Sequence, residues 1–224
     1  VAGMKQEDYT RYFQAADAYN ARLQKVGFET ANAAPDMVPG YEETLDVTGT
    51  GIMGYIQIPK IKVNLAVYHG TDPSVLQVAA GHFEGTSLPV GGKGTHSVIS
   101  AHTGLPGAKL FTDLDQLEKG DLFTITILNR ALTYQVDRID VVLPDQLELL
   151  DTVEGKDYCT LLTCTPYGVN DHRLLVRGVR IANQTTDADA QTTKEDVQEA
   201  VKTPYEQMIT VLKWVIFPLI LSAV

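Results

Sequence analysis

Residues 161–168 read LLTCTPYG, an extended apolar run that ends in a cysteine and is followed at once by a proline turn. Pro166 favours extended backbone geometry at Thr165, and the Tyr-Gly pair that follows is typical of a turn. The run therefore predicts a β-strand whose last side chains lie near solvent. Cys164 is at that strand end, and a half-exposed thiol there is a candidate nucleophile.

The only other cysteine is Cys159, which lies five residues earlier in the same predicted strand. Successive side chains of a strand point to opposite faces, so the two thiols point in opposite directions. At about 3.3 Å per residue their Cα atoms are roughly 16 Å apart, whereas a disulfide requires about 4.4–6.8 Å. We therefore predict two free thiols, with Cys159 a small buried core residue.

Further strand-like runs surround this stretch. They are rich in β-branched and aromatic residues and are broken by Gly, Pro, Asn and Asp, the pattern of an all-β barrel or sandwich. Short helical inserts are predicted at PSVLQVAAG and LFTDLDQL. The runs are IMGYIQI, KVNLAVY, HSVISA, LFTITIL, LTYQVDRIDVV, DYCTLLTC and RLLVRGVRI.

The ends of the chain differ in character from this β-rich part. Apolar residues recur at helical spacing from residue 5 to residue 26, and Gly27 follows as a helix stop. The last residues are apolar enough for a partial transmembrane or hydrophobic anchor helix, and the alternative is an amphipathic or core helix. We predict a helical segment, a lid-like loop, a catalytic barrel, a polar linker and the anchor, at residues 1–30, 31–51, 52–182, 183–207 and 208–224.

Composition excludes one class of partner. The 224 residues carry a formal net charge of −10, with a sequence pI near 4.9. A nucleic-acid surface needs clustered Lys and Arg, which this acidic chain lacks, so we expect no nucleic-acid binding. The remaining composition is that of an ordinary globular domain.

A reactive thiol needs a base or a cation beside it. His102 follows a predicted strand and precedes an open Gly-Pro-Gly turn, and Arg173 opens the strand after Cys164. A guanidinium on the neighbouring strand can donate hydrogen bonds to an oxyanion. Sequence alone leaves rivals for both roles, namely His69, His82, His96, His172, Arg177 and Arg180.

These motifs carry a resemblance. TLLTCTPYG followed by NDHRLLVRG resembles the TLxTC signature and subsequent arginine of sortases, and GTSLPVGGKGTHSVISAHTGLPGAKLFTDL resembles the pilus-associated class C. The similarity extends from Gly54 to Ile181 and includes GYIQIPKI and VYHGT. The three motifs occur in the family's order.

The resemblance implies a mainly β fold, the eight-stranded sortase β-barrel, with N-terminal helices packed on it and a C-terminal hydrophobic helix. It implies Cys164 as nucleophile, His102 as the catalytic histidine and Arg173 as the catalytic arginine. It makes the other histidines structural, although His172 could help to shape the site. It also implies a location at the cell membrane, with the catalytic domain on the extracellular face and the C-terminal segment in the membrane.

The implied chemistry is transpeptidation without a metal or cofactor. Cys164 would attack the Thr–Gly carbonyl of an LPxTG-like sorting signal, and His102 would protonate the leaving amine. Arg173, helped by a backbone amide, would hold the oxyanion. A lysine amine of the next pilin subunit would then resolve the thioester and form an isopeptide bond.

One expected element departs from the family pattern. Class C sortases carry a lid with an Asp-Pro-aromatic motif, and no such tripeptide precedes the barrel here. PDMVPGY offers Asp36 and Tyr41 at looser spacing as contacts of a divergent lid. The alternative is that this loop is an open linker.

Three alternatives to a pilin polymerase stay open at this stage. The enzyme could attach surface proteins to peptidoglycan, which the identity of the acceptor amine would reveal. It could release the cleaved peptide to water. The barrel could also bind surface proteins without catalysis, in which case the Cys164 thiol would show no special reactivity.

Overall fold

The computed structural model of the chain describes residues 4–105 and 107–183. Within them the β-rich pattern forms eight strands. Seven coincide with the predicted runs, and the eighth, Ala80–His82, is too short to show an alternating pattern. The strands are β1 (Ile52–Ile58), β2 (Val63–His69), β3 (Ala80–His82), β4 (Thr95–Ser100), β5 (Leu122–Ile127), β6 (Arg130–Val142), β7 (Asp157–Thr165) and β8 (His172–Arg180).

The eight strands close into a barrel in the order β1-β2-β3-β4-β7-β8-β6-β5. The pairs β2–β3 and β4–β7 are parallel, and the other neighbours run antiparallel. The predicted mainly β fold with an eight-stranded barrel is confirmed. The order places β7 between β4 and β8, so residues of both neighbours flank the strand that carries the two cysteines.

The barrel interior is filled by apolar side chains from alternate strand positions. Ile56, Ile99, Ile125 and Leu161 are each 0% exposed. Cys159 is also 0% exposed and belongs to this core, as its place on the same face as Leu161 predicts. Each large aliphatic side chain buried in this way contributes about 1.5–3 kcal/mol to folding.

The outer face of β7 faces a second, smaller apolar cluster. Leu162 packs there with its cross-strand neighbour Leu175 and with Val98 of β4. Leu150, from the connection between β6 and β7, and Phe28 complete the cluster. This cluster lies on the same face of β7 as Cys164, because Leu162 and Cys164 are two residues apart.

The N-terminal helix packs on the barrel as predicted. Helix α1 spans Gln6–Val26 and ends at Gly27, whose φ of 83° is one that glycine adopts readily. Its buried side chains recur every three or four residues. Asn20 adds a polar clamp, because its side-chain amide donates to the Leu88 carbonyl and accepts from the Leu88 N–H.

The segment between α1 and the barrel is packed rather than open. Helix α2 spans Phe28–Ala33, and a single 3₁₀ turn follows at Pro35–Met37. Beyond it Val38, Tyr41 and Leu45 are no more than 4% exposed and belong to the main core. Residues 38–45 are therefore packed on the core rather than open, whereas the role of residues 31–51 as a lid stays a prediction.

The other connections contain short helical turns. Helix α3 spans Pro73–Leu76, inside the first predicted insert. Further 3₁₀ turns lie at Pro59–Ile61, Leu114–Gln116 and Glu148–Leu150, and the middle one lies in the second predicted insert.

The predicted polar linker, apart from its first residue, and the predicted anchor of residues 208–224 lie outside the described residues. Among residues 4–105 and 107–183, no helix is both long enough and apolar enough to cross a membrane.

Candidate active site

Cys164 lies one residue before the end of β7 and is half-buried. In the antiparallel pairing of β7 with β8, its direct partner is Arg173. Cross-strand partners share a face, and their Cβ atoms are about 4.5–5.5 Å apart. The register alone therefore puts the guanidinium stem beside the thiol.

His102 reaches the same end of the sheet from the other side of β7. In the parallel pairing, Ser100 of β4 lies opposite Leu162. The contact continues one residue further, because the Ala101 N–H donates to the Leu162 carbonyl at 3.2 Å and the Thr163 hydroxyl donates to the Ala101 carbonyl at 2.7 Å. His102 thus leaves the strand at the level of Cys164, and it is half-buried.

The backbone after His102 is also held. The Phe111 N–H donates to the His102 carbonyl at 3.0 Å, and Phe111 is fully buried. Two residues on, the Gly104 N–H donates to the Thr112 hydroxyl at 3.1 Å. The loop that carries the imidazole is therefore fixed to the barrel on both sides.

The Arg173 guanidinium is oriented by the turn that precedes its strand. Its Nη1 group donates to the Asn170 carbonyl at 3.2 Å and to the His172 carbonyl at 3.0 Å. A planar guanidinium held in this way is a pre-oriented donor group for an anion. Among its rivals, Arg177 forms a two-point ion pair with Asp137, and Arg180 bonds the Thr133 carbonyl.

Three other histidines have structural settings. His82 is fully buried, with Nδ1 bonded to the Tyr41 hydroxyl and Nε2 to the Ser87 carbonyl, and burial lowers its pKa from 6.5 to about 4. His96 contacts the Thr160 hydroxyl and the Asp151 carbonyl, and burial lowers its pKa. His69 contacts two carbonyls. Their ring nitrogens are committed to holding the fold.

His172 directly precedes Arg173 and lies opposite Thr165. Alternation turns its side chain to the other face of the sheet from Cys164. Its Nδ1 contacts the Asp171 carboxylate at 2.8 Å, and that bond lowers the pKa of Asp171. His172 and Asp171 thus flank the site at the start of β8.

The two thiols lie in opposite environments. Burial raises the pKa of Cys159 well above its usual range, and nearby Asp157 adds to the rise. A thiol that stays protonated in an apolar interior does not act as a nucleophile. Of the two cysteines, Cys164 is the one with access to a substrate.

The lid residues predicted from sequence lie in two different settings. Asp36 is exposed in the 3₁₀ turn. Tyr41 is buried, donates through its hydroxyl to His82, and packs its ring against Tyr19 and His69. Tyr41 therefore anchors the segment to the barrel, and contact of either residue with Cys164 or Arg173 stays a prediction.

Sequence reasoning missed one residue near the site. Tyr167, in the turn after Cys164, lies against Gly104, in the loop after His102: a Cβ built on Gly104 would be 2.9 Å from the ring carbon Cε2. The sequence contains no signal for this contact, because the two residues are far apart in the chain and meet only through the β4–β7 pairing.

The described residues also bear on metals. In residues 4–105 and 107–183, no group of three or more His, Cys, Asp or Glu side chains is arranged to hold a metal ion.

Comparison with known proteins gives a consistent set of relatives. The sequence matches the Sortase domain family over residues 56–181. Sortase C1 from Streptococcus agalactiae, a solved structure, is 50% identical, and the match covers 82% of this chain and 94% of that chain with a TM-score of 0.76. Group B Streptococcus Pilus Island 1 sortase C2 is 45% identical, with coverage of 80% and 100% and a TM-score of 0.72.

Curated sequences show the same likeness at lower identity. Sortase A of Streptococcus agalactiae is 28% identical over 160 residues, which are 70% of this chain and 62% of that protein. The chain spans 57 to 66% of the length of the curated relatives that it matches.

Proposed function

The chain belongs to the sortase family, and from that premise we propose that it is a cysteine transpeptidase that joins pilin subunits. It cleaves an LPxTG-like sorting signal between Thr and Gly and transfers the acyl group to a lysine amine of another subunit. Residues 52–182 form its catalytic domain. Cys164, His102 and Arg173 carry the reaction.

The observation that carries this proposal is the pairing of strands at one end of the sheet. Cys164 is the register partner of Arg173 on one side, and the β4 chain runs beside β7 up to Ala101, immediately before His102, on the other. A nucleophile, an acid–base group and an oxyanion donor within reach of one another are the minimum for acyl transfer.

The first half-reaction forms a thioester. The Cys164 thiolate attacks the threonine carbonyl carbon, and the electrons of the C=O bond move to oxygen. Arg173 stabilises that oxyanion with a donor group already in place. The intermediate collapses, the Thr–Gly C–N bond breaks, and His102 gives its proton to the departing glycine amine.

The second half-reaction consumes the thioester. The neutral lysine amine of an acceptor pilin attacks the thioester carbonyl, and His102 takes the proton that the amine loses. The C–S bond breaks, which regenerates the Cys164 thiolate and leaves an isopeptide bond. Similarity to a sortase from a pilus island supports a pilin rather than a cell-wall acceptor.

We assign residues 31–51 the role of a lid over this site. In this assignment Tyr41 is the fixed anchor, since its ring is buried among core residues, and Asp36 is the exposed contact. Asp36→Asn is then expected to raise the rate of sorting-peptide cleavage. Glu43→Gln, an exposed acid of the same segment, is the matched control, and equal rates in both variants contradict the lid.

The proposal also places the enzyme at the surface of a Gram-positive cell, held in the membrane through residues 208–224. Removal of these residues is expected to release active enzyme from the membrane fraction. Retention of the shortened protein in that fraction argues against anchoring by this segment.

In the deciding experiment the enzyme is incubated with a pilin that bears its sorting signal. Three acceptors are then available, namely a pilin lysine, a cell-wall peptide amine and water. A pilin lysine is expected to give SDS-resistant ladders, and the Cys164→Ala variant none. Transfer only to a cell-wall peptide amine indicates the wall-anchoring alternative. Release of the acid alone indicates a hydrolase, and no reaction at all favours a binding barrel.

A further inference from the structure

Tyr167 is exposed to solvent and yet contacts a second loop. The residue is 70% exposed, one of the most exposed large hydrophobic residues in the described part of the chain. Its ring nevertheless lies against the backbone of Gly104, where an added Cβ would come within 2.9 to 3.3 Å of three ring carbons. Because most of the residue stays exposed, burial of apolar surface contributes little free energy to this contact. The contact with one glycine therefore needs another explanation.

The two partners of this contact belong to the two loops that bear the reacting groups. Tyr167 is three residues after Cys164, and Gly104 is two residues after His102. The ring therefore bridges the ends of β7 and β4 just beyond the site. A side chain at this position can set the separation of the thiol and the imidazole.

Both loops are stiff enough to transmit such a constraint. In the first, the Val169 and Asn170 N–H groups both donate to the Pro166 carbonyl, which closes a tight turn around Tyr167. In the second, the Thr112 hydroxyl accepts from the Gly104 N–H at 3.1 Å. Gly104 thus lies between Thr112, which fixes its backbone, and the tyrosine ring.

Gly104 also suits this place for two physical reasons. Its φ is +71°, in the left-handed region that residues with a side chain avoid. Its missing side chain leaves the space that the ring occupies. The missing side chain is the reason that links Gly104 to Tyr167.

We propose that Tyr167 is a positioning residue, which packs on Gly104 and thereby holds the His102 loop at working distance from Cys164. This inference rests on the proposed transpeptidase function. It assigns no chemical step to the tyrosine hydroxyl, because the contact is made by ring carbons. The ring, and not the hydroxyl, is what the site requires.

The first test separates ring from hydroxyl in steady-state transpeptidation of a sorting-signal peptide. Tyr167→Phe is expected to keep kcat within about twofold, whereas Tyr167→Ala lowers kcat about tenfold with little change in KM, since small misplacements of reacting groups act on kcat. Val169→Ala, in the same turn and 65% exposed, is the matched control and leaves both constants unchanged. A rise in KM alone for Tyr167→Ala means that the ring contacts substrate, and overturns the inference.

The second test is a double-mutant cycle with Gly104→Ala. In the wild-type background the new methyl group strikes the ring, and in the Tyr167→Ala background it does not. The backbone strain from the positive φ is the same in both and cancels. The fold loss of kcat caused by Gly104→Ala is expected to be smaller in the Tyr167→Ala background than in wild type, by a factor of about three or more. Equal fold losses in the two backgrounds overturn the inference.

A third readout does not depend on activity. Deuterium exchange of the backbone amides in residues 101–105 is expected to be faster in Tyr167→Ala than in wild type and Tyr167→Phe, because the loop loses its packing partner. Unchanged exchange overturns the positioning role even in an active enzyme. Loss of the proposed function itself is visible separately, as wild-type protein that transfers no sorting peptide or as activity that survives Cys164→Ala.

Discussion

The interior of the barrel and the ends of its strands give the same residue types different environments. Cys159 and His82, on different strands, are each 0% exposed, and burial holds both in the neutral form by raising the pKa of the thiol and lowering that of the imidazole to about 4. Cys164 and His102 lie at strand ends and are half-buried. Cys159 fills space and His82 satisfies hydrogen bonds inside the fold, whereas Cys164 and His102 are partly exposed.

Residue type alone therefore does not identify the reactive group. Cys159 and Cys164 are five residues apart on one strand, yet alternation and the position of the strand end give them opposite properties. The neighbouring strand β8 also distinguishes the two cysteines, because Arg173 lies opposite Cys164 and not opposite Cys159. Most of the variants that follow compare a residue in or beside the site with a residue of the packed interior or barrel wall.

The largest expected effect separates the two thiols. Cys164→Ala is expected to lower kcat for sorting-peptide cleavage by more than about 10³-fold, because it removes the proposed nucleophile. Cys159→Ala is expected to leave kcat near the wild-type value and to lower the free energy of unfolding by about 1–2 kcal/mol, because it opens a small cavity. Steady-state kinetics and urea unfolding measure the two effects. Loss of activity in both variants would contradict the different roles assigned to the two thiols.

The second effect separates two arginines of β8. Arg173→Ala is expected to lower kcat about 10²- to 10³-fold, the usual cost of losing an oxyanion donor. Arg177→Ala breaks the ion pair with Asp137 and is expected to cost about 1 kcal/mol of stability with kcat retained. An Arg173→Ala enzyme with normal kcat and raised KM would move the guanidinium from the oxyanion to substrate binding.

The third effect concerns the interior histidine and pH. The pKa of His82 is about 4 in the folded chain and 6.5 for an unperturbed histidine. Between pH 6.5 and pH 4 this histidine is therefore protonated in the unfolded chain but not in the folded chain. Stability therefore falls as pH drops from 6.5 towards 4, by roughly 3 kcal/mol in total from this group, and falls no further from it below pH 4. Urea unfolding across this range measures the loss.

Substitution of His82 provides the control for that slope. His82→Gln is expected to be less stable at pH 7 but to lose less stability on acidification, because the group that takes up the proton is absent. A variant whose stability falls with pH as steeply as that of the wild type would show that other groups cause the slope.

The smallest effect concerns the hydrogen bond that fixes the end of β4. Thr163→Val removes the donor to the Ala101 carbonyl and is expected to cost about 1 kcal/mol of stability. It also frees the chain just before His102, so kcat is expected to fall about threefold to tenfold. Thr160→Val removes a comparable bond to His96, away from the site, and is expected to leave kcat unchanged.

Most of the barrel could be predicted from sequence, because its strands are rich in β-branched and aromatic residues and are separated by Gly, Pro, Asn or Asp. The run IMGYIQI coincides with β1. Strand β3 could not be predicted, since three residues show no period, and it is held by parallel pairing with the last residues of β2. Helix α1 and its stop at Gly27 followed from spacing and a single glycine.

The candidate site was predictable only in part. A strand-end cysteine and a strand-opening arginine could be located by pattern, but their register depends on the β7–β8 turn and is a tertiary property. The burial of Tyr41 was missed because the segment around it has prolines and glycines and looks like a surface loop. The Tyr167–Gly104 contact depends on β4–β7 pairing, which no local signal specifies.

The central claim is that Cys164 becomes covalently acylated by the sorting signal. Brief incubation with a sorting-signal peptide without an acceptor amine, followed by acid quenching and peptide mass spectrometry, tests it directly. We expect a thioester adduct, equal to the signal cleaved after threonine, which peptide fragmentation assigns to Cys164, and none on Cys159 in the same strand. Peptide cleavage with no adduct on Cys164, or an adduct on Cys159, would contradict it.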